Sequence, residues 1–218
     1  MPDAVFFDLD GTLADTAPDL GGALNRVRGE EGLPPLPLPQ LRPVVSQGVR
    51  GLLRVGFGLT PDDAAYPGLH PRVLAHYEQG ICNESSLFPG IAELLARLEA
   101  SSLPWGIVTN KHTRYTAPLV RALELDVRAV AVVSGDSAAK PKPAPDTLLH
   151  ACRIAGANPE RCWYVGDDLR DIQAAHAAGM RSIAAMWGYL GDGESPDRWQ
   201  ADALAHTPDD IARLIGLE

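Results

Sequence analysis

Short runs rich in valine and isoleucine alternate along this chain with amphipathic helical stretches, and that alternation admits few folds. The candidate strands are residues 4–10 (AVFFDLD), 104–110 (PWGIVTN), 127–135 (VRAVAVVSG), 162–168 (CWYVGDD) and 181–188 (RSIAAMWG). Between and after them lie helical patterns at residues 90–101, 114–123, 146–156 and 171–179. A last helix is expected after Thr207, where Pro208 suits the first turn and Asp209 and Asp210 suit the positive end of the helix dipole. Strands that alternate with helices predict an α/β fold, a parallel sheet covered by helices.

One segment breaks the alternation. Residues 15–86 show no strand pattern, only helical pieces at 19–32, 49–58 and 69–80 separated by turn-rich stretches. We read them as a helical insertion after the first strand, so that residues 1–14 and 87–218 form the core and residues 15–86 a cap. The proline-rich run LPPLPLPQLRP at 33–43 reads as a stiff connection between two helices of that insertion.

Composition narrows the partners. With 218 residues, 45% of them hydrophobic, the chain can bury a substantial core. Its formal net charge of -9 offers no broad basic surface, which argues against nucleic acid and anionic membrane as partners. No apolar run approaches the roughly 20 residues of a membrane span, and the N-terminus runs straight into a strand pattern, so a cytoplasmic location is expected. Cys82, Cys152 and Cys162 lack metal-ligand spacing and suit small apolar roles in a reducing compartment.

In a parallel sheet of this kind ligands bind beyond the carboxyl ends of the strands. The exceptional polar residues fall there: Asp8 and Asp10 after the first strand, Thr109 and Asn110 at the second, Lys142 after the third, and Asp167, Asp168 and Asp171 after the fourth. Extended geometry places Asp8 and Asp10 on one side of the chain, where two like charges call for a cation. Carboxylates, a carbonyl and waters suit Mg2+, and Asp167 supplies a further hard ligand. Gly11 permits a turn after the pair, and the Thr12 hydroxyl can hold a carboxylate in place. Each residue taken alone reads equally well as part of a turn; the set at successive strand ends does not.

These motifs resemble those of haloacid dehalogenase superfamily phosphatases. DLDGTLADT matches the family's first motif, Thr109 in IVTN the second, KPKPAP the third and GDDLRD the fourth. The resemblance extends over essentially the whole chain and implies a Rossmann-like core with a small helical cap. It also implies that Asp8 is the nucleophile forming an aspartyl phosphate and that Asp10 is the general acid and then the base. The implied metal ligands are the Asp8 carboxylate, the Asp10 carbonyl and Asp167, with Thr12 and Asp171 supporting them. Thr109 and Lys142 would stabilise the phosphoryl oxygens. The K-P-x-P pattern favours Lys142 over Lys140, and Asp168 would either orient that lysine or face solvent.

Within the superfamily, phosphoglycolate phosphatases share the motif arrangement and cap size. LPWGIVTNK, VGDDLRDIQAAHAAG and WGYLGDGESPDRWQAD are most similar to N-acetylmuramic acid 6-phosphate phosphatases of bacterial cell-wall recycling. Either resemblance implies a small phosphorylated metabolite that also carries a carboxylate. Asn110, Gln47, Gly48 and Arg50 are the candidate substrate contacts, Arg50 through a carboxylate or else as a solvated helix residue. Trp187, Tyr189 and Trp199 could form an aromatic wall against a sugar or simply pack on the core. A sugar phosphomutase or a phosphoaspartate receiver would share part of the acidic set. Net phosphate release separates the mutase from a phosphatase, and multiple turnover separates the receiver.

Overall fold

A computed structural model describes residues 1–191 and 193–217. Its strands are β1 (Ala4–Phe7), β2 (Ala14–Asp15), β3 (Ser86–Leu87), β4 (Trp105–Val108), β5 (Val132–Val133), β6 (Cys162–Gly166), β7 (Arg181–Ala185) and β8 (Ala203–Ala205). Its helices are α1 (Ala17–Glu30), α2 (Leu38–Leu41), α3 (Gly48–Phe57), α4 (Tyr66–Gln79), α5 (Ile91–Ala100), α6 (Thr113–Ala122), α7 (Asp146–Ala155), α8 (Leu169–Ala177) and α9 (Pro208–Leu214). The main sheet runs β5-β4-β1-β6-β7-β8, parallel throughout.

The alternation of side chains along β1 divides the core between the two faces of this sheet. Val5 and Phe7 pack with Trp105, Ile107 and Val165 beneath helices that contribute Leu94, Leu95, Leu98, Leu119 and Ile211. Ala4 and Phe6 point the other way, against Val108, Tyr164, Leu148, Ala151 and Ala174. All four β1 residues are fully buried, which is why this strand reads as an unbroken apolar run. Phe6 and Phe7 each contribute about 1.5–3 kcal/mol through burial alone. Phe7 pairs in register with Ile107 on one side and Val165 on the other. The three chain segments therefore leave the sheet together.

Several elements differ from the sequence expectation. The strand expected at 127–135 contracts to β5, because Val127 is 85% exposed and residues 125–129 turn through the Arg128 and Ala129 amides on Leu125. β7 stops at Ala185, where a turn begins that brings the Gly188 amide onto the Ala185 carbonyl. β8 was not anticipated: Ala-Leu-Ala carries no β-branched residue to signal a strand. The segment 15–86 was expected to lack strands, yet Asp15 and Ser86 belong to β2 and β3, an antiparallel pair in the register Ala14↔Leu87 and Asp15↔Ser86. α8 starts at Leu169 rather than Asp171, because Asp168 caps it and Asp171 completes a reciprocal capping box.

Between β2 and β3 lie α1 to α4, packed on one another through Leu24, Val27, Leu52, Leu53 and Val73. The proline-rich connection is held to α1: the Asn25 side chain bonds the Leu36 amide and carbonyl at 2.8 and 2.9 Å, and Arg28 donates to the carbonyls of Pro34 and Gly56. Cys152 and Cys162 are buried free thiols with sulfurs 4.0 Å apart, and Cys82 is a half-buried one. No helix among the described residues is long and apolar enough to cross a membrane.

Where the chain returns from the helical segment, the buried Asp19 carboxylate accepts from the amides of Glu84 and Ser85 and from the Ser85 hydroxyl. Asp19→Ala leaves those donors unpaired and should lower unfolding stability in urea by about 2–3 kcal/mol, with Asp19→Asn recovering part of the loss.

Candidate active site

Asp8 follows β1, and its amide donates to the Val165 carbonyl of β6 at 2.8 Å, so Asp8 and Asp167 emerge from adjacent strands. Lys142 reaches them from the loop beyond β5. Its Nζ lies 2.9 Å from Asp8 Oδ1, 2.7 Å from Asp171 Oδ1, 2.7 Å from the Tyr164 hydroxyl and 3.1 Å from the Val108 carbonyl. Burial pushes this ammonium towards its neutral form, but the charges of Asp171 and Asp8 outweigh burial and hold it raised and protonated. Asn110 fixes the backbone beneath it, accepting from the Lys142 amide at 2.8 Å and donating to the Lys142 carbonyl at 2.9 Å. The peptide that follows, Lys142-Pro143, is cis. Lys140 is exposed.

Carboxylate oxygens of Asp8, Asp167 and Asp171 lie within 4.8 Å of one another, all buried. Thr12 donates to Asp167 Oδ1 at 2.9 Å, and Tyr189 N and the Ser46 hydroxyl approach Oδ2 at 2.8 and 3.3 Å. Burial first, then repulsion from Asp8 and Asp171, pushes Asp167 well above the carboxylate range. Asp171 is pushed up to about 7, by burial against the pull of Lys142. One lysine does not balance three buried carboxylates. Asp8 Oδ1 accepts no hydrogen bond, although the Lys142 ammonium lies 2.9 Å from it.

The backbone is shaped around this cluster. A Cβ on Gly11, whose φ is +85°, would overlap the Asp167 carboxylate, and one on Gly166 would overlap that of Asp171. Hard oxygen donors, an unsatisfied oxygen and unbalanced negative charge together fit a divalent cation held by Asp8 and Asp167, with Asp171 within reach.

Asp10 lies apart from that trio. The extended geometry expected of residues 8–10 ends at Phe7, and the Gly11 turn carries the Asp10 carboxylate to other partners. Thr16 donates to its Oδ1, and Lys111 Nζ lies 2.9 and 3.2 Å from its two oxygens. Asp8 and Asp10 therefore each have a lysine of their own instead of sharing a compensating cation through their carboxylates. Lys111 follows Thr109 and Asn110 directly, yet a lysine one step past a strand carries no pattern that separates it from a surface residue. Asp168 neither orients Lys142 nor points freely to solvent: it caps α8 and pairs with Arg170 at 2.8 Å, and Arg170 donates on to the Ser46 carbonyl.

A cavity of about 550 Å3 opens from these groups towards α1, α3 and α4. Asp8, Asp10, Thr109, Asn110, Lys142 and Asp171 form its floor, while Gln47, Gly48, His70, Tyr77 and Arg114 stand around it. Arg50 lines a neighbouring cavity of about 350 Å3 with Arg54 and Arg170. The proposed aromatic wall is not on this cavity. Trp187 donates to the Thr12 carbonyl, Trp199 to that of Glu194, and the buried Tyr189 hydroxyl accepts from the Thr16 and Ala17 amides.

Residues 5–185 match the haloacid dehalogenase-like hydrolase family. The chain belongs to that family. It is 46% identical over 209 residues to a phosphoglycolate phosphatase of Xanthomonas campestris pv. campestris, covering 95% of this chain and 94% of the relative. It is 38% identical over 212 residues to an N-acetylmuramic acid 6-phosphate phosphatase of Pseudomonas aeruginosa, covering 97% and 94%. The crystal structure of a predicted phosphoglycolate phosphatase from Haemophilus somnus superposes with a TM-score of 0.84 at 27% identity, covering 97% of each chain. As a haloacid dehalogenase-like hydrolase with these relatives, the protein is a phosphatase.

Because Asp167 and Asp171 are raised in the folded chain without metal, they bind protons that the unfolded chain has released. Their contribution to stability is therefore lost as pH climbs from the unfolded carboxylate value, near 3.9, through the folded one. A bound cation favours the ionised form of Asp167, so stabilisation by Mg2+ should weaken as pH falls from 8 towards 5. Thermal melts with Mg2+ or with chelator across that range would check it; a metal-induced shift independent of pH would contradict the assignment.

Proposed function

We propose that this phosphatase hydrolyses phosphate monoesters with Mg2+ through a phosphoaspartate on Asp8. The observation that carries the reading is the separation of the two aspartates: Asp8 lies beside Lys142 and the acidic cluster, Asp10 lies beside Lys111, and both line the cavity. Asp8 would attack phosphorus while the ester P–O bond breaks and the leaving oxygen takes a proton from Asp10. Asp10 would then take a proton from water as that water attacks phosphorus and frees Asp8. Lys142, Thr109 and the amides after Asp8 would bind the phosphoryl oxygens. Asp8, the Asp10 carbonyl and Asp167 would hold the Mg2+, whose charge offsets repulsion between the carboxylate and the phosphate dianion. In this reading residues 15–86 act as a cap over the core formed by residues 1–14 and 87–218, and exclude water from the cavity.

The leaving group we favour is the sugar of N-acetylmuramic acid 6-phosphate. A cavity of about 550 Å3 with apolar Leu20, Val45, Val49 and Leu74 beside polar Gln47, Asn110 and His70 suits an acylated sugar better than a two-carbon acid. The phosphoglycolate phosphatase reading draws on the more similar relative, at 46% identity. In either case the substrate carboxylate would meet Arg50 if the ligand extends past Gln47.

Phosphate release with Mg2+ from N-acetylmuramic acid 6-phosphate and 2-phosphoglycolate, measured side by side, would decide between them. We expect kcat/KM to favour the sugar phosphate, and a preference for phosphoglycolate would reverse the assignment. Asp8→Asn should lower turnover of any ester by at least about 1,000-fold while leaving the fold intact. Sustained release by that variant would remove Asp8 as nucleophile.

A further inference from the structure

Lys111 has no part in the chemistry just described, although its ammonium is held as firmly as that of Lys142. Its side chain is 9% exposed, and its Nζ sits between both oxygens of Asp10 and the face of Tyr77, 4.8 Å from the ring centroid. Its backbone is pinned as well: the amide donates to the Thr109 hydroxyl at 3.2 Å, and the carbonyl accepts from Gly135 N at 3.0 Å and from the Thr116 hydroxyl at 3.2 Å. Tyr77 comes from α4 and is itself buried, with a hydroxyl that has no hydrogen-bond partner. Tyr77 of α4 and Asp10 of the turn after β1 therefore meet at one ammonium.

We propose that Lys111 is the positioning residue for leaving-group departure: it holds the Asp10 carboxyl at the cavity floor, turned away from the Asp8, Asp167 and Asp171 cluster, where the ester oxygen leaves. The proposal rests on the phosphatase reading above. Without Lys111, Thr16 would be the one hydrogen-bond donor to the Asp10 carboxylate among the described residues, through one oxygen, and rotation about that contact would carry the other oxygen off line. The ammonium also stands next to the negative charge that returns to Asp10 as its proton moves to the leaving oxygen, so the interaction is stronger in the transition state than before it. A lysine that merely neutralised a half-buried aspartate would affect the amount of active protein and not the choice among esters.

Leaving groups separate these roles. A sugar or alkyl oxygen must be protonated as it departs, whereas p-nitrophenolate leaves as its anion. The quantity to compare is kcat/KM, which covers the steps up to phosphoryl transfer onto Asp8 and excludes the later hydrolysis. For Lys111→Met, kcat/KM on the preferred alkyl phosphate should fall by about 100-fold or more, the range that proton transfer contributes. On p-nitrophenyl phosphate it should change little, and Lys111→Arg should restore part of the loss. The ratio of the two values within one preparation does not depend on how much of it is folded, and if Lys111→Met fails to fold, the same ratio in Lys111→Arg decides. Equal losses on both esters, or none on either, would overturn the role of Lys111 and leave the phosphatase reading standing. Absence of turnover of either ester by the unaltered enzyme would overturn both.

Discussion

Three carboxylates buried against one lysine set the terms for the rest of this structure. Removing a charge from water costs several kcal/mol per ion even after relaxation, and among the described residues the Lys142 ammonium is the cation paired directly with Asp8 and Asp171. The sheet order answers that demand. β1 lies between β4 and β6, so Asp8, Thr109 and Asp167 leave neighbouring strands at one level, and the loop beyond β5 brings the lysine in from the side. Gly11, Gly166 and Gly188 stand where any side chain would strike an aspartate of the cluster. Part of the backbone sequence is thus dictated by oxygen atoms, not by packing.

The second constraint is that two aspartates one residue apart meet different partners. A regular strand through Asp10 would have put both carboxylates on one side of the sheet. Ending the strand at Phe7 and turning at Gly11 sends them to separate lysines, both with largely buried side chains and both lining the cavity. Asymmetry of this kind is what a reaction needs when one carboxylate attacks and its neighbour carries protons. The helices over the cavity take part through Tyr77 on Lys111, through Ser46 on Asp167 and through Arg114, which pairs with Glu78 of α4.

Much of this was legible in the chain. Buried parallel strands announce themselves as unbroken apolar runs, and the residues that follow them fall at one end of the sheet whatever the loops do, so the positions of Asp8, Thr109, Lys142 and Asp167 could be read from the sequence. Short elements could not. A strand of two or three residues such as β2, β3 or β8 has no period to detect, and its existence depends on a partner distant in sequence. Side-chain direction was the other gap. Lys111 looks like a surface lysine, Arg50 like a cavity arginine, and Asp168 like a partner for Lys142. Which cavity or partner each one faces is fixed by tertiary packing. The aromatic residues near the end of the chain were ambiguous for the same reason, and their polar tips turn out to bind backbone.

The pairing of β2 with β3 has a consequence for how such a protein can change. The helical excursion starts and ends on this two-stranded sheet, separate from the main one, where Ala14 and Leu87 are directly opposite each other. Everything between them is, to the sheet, a closed loop with adjacent ends. The entropy of closing a loop grows only slowly with its length, so lengthening, shortening or replacing this excursion perturbs the register at Ala14↔Leu87 very little. A segment joined to the rest at one paired position can therefore be exchanged with little effect on the ends of the main strands, apart from the contacts that Ser46 and Tyr77 make with Asp167 and Lys111.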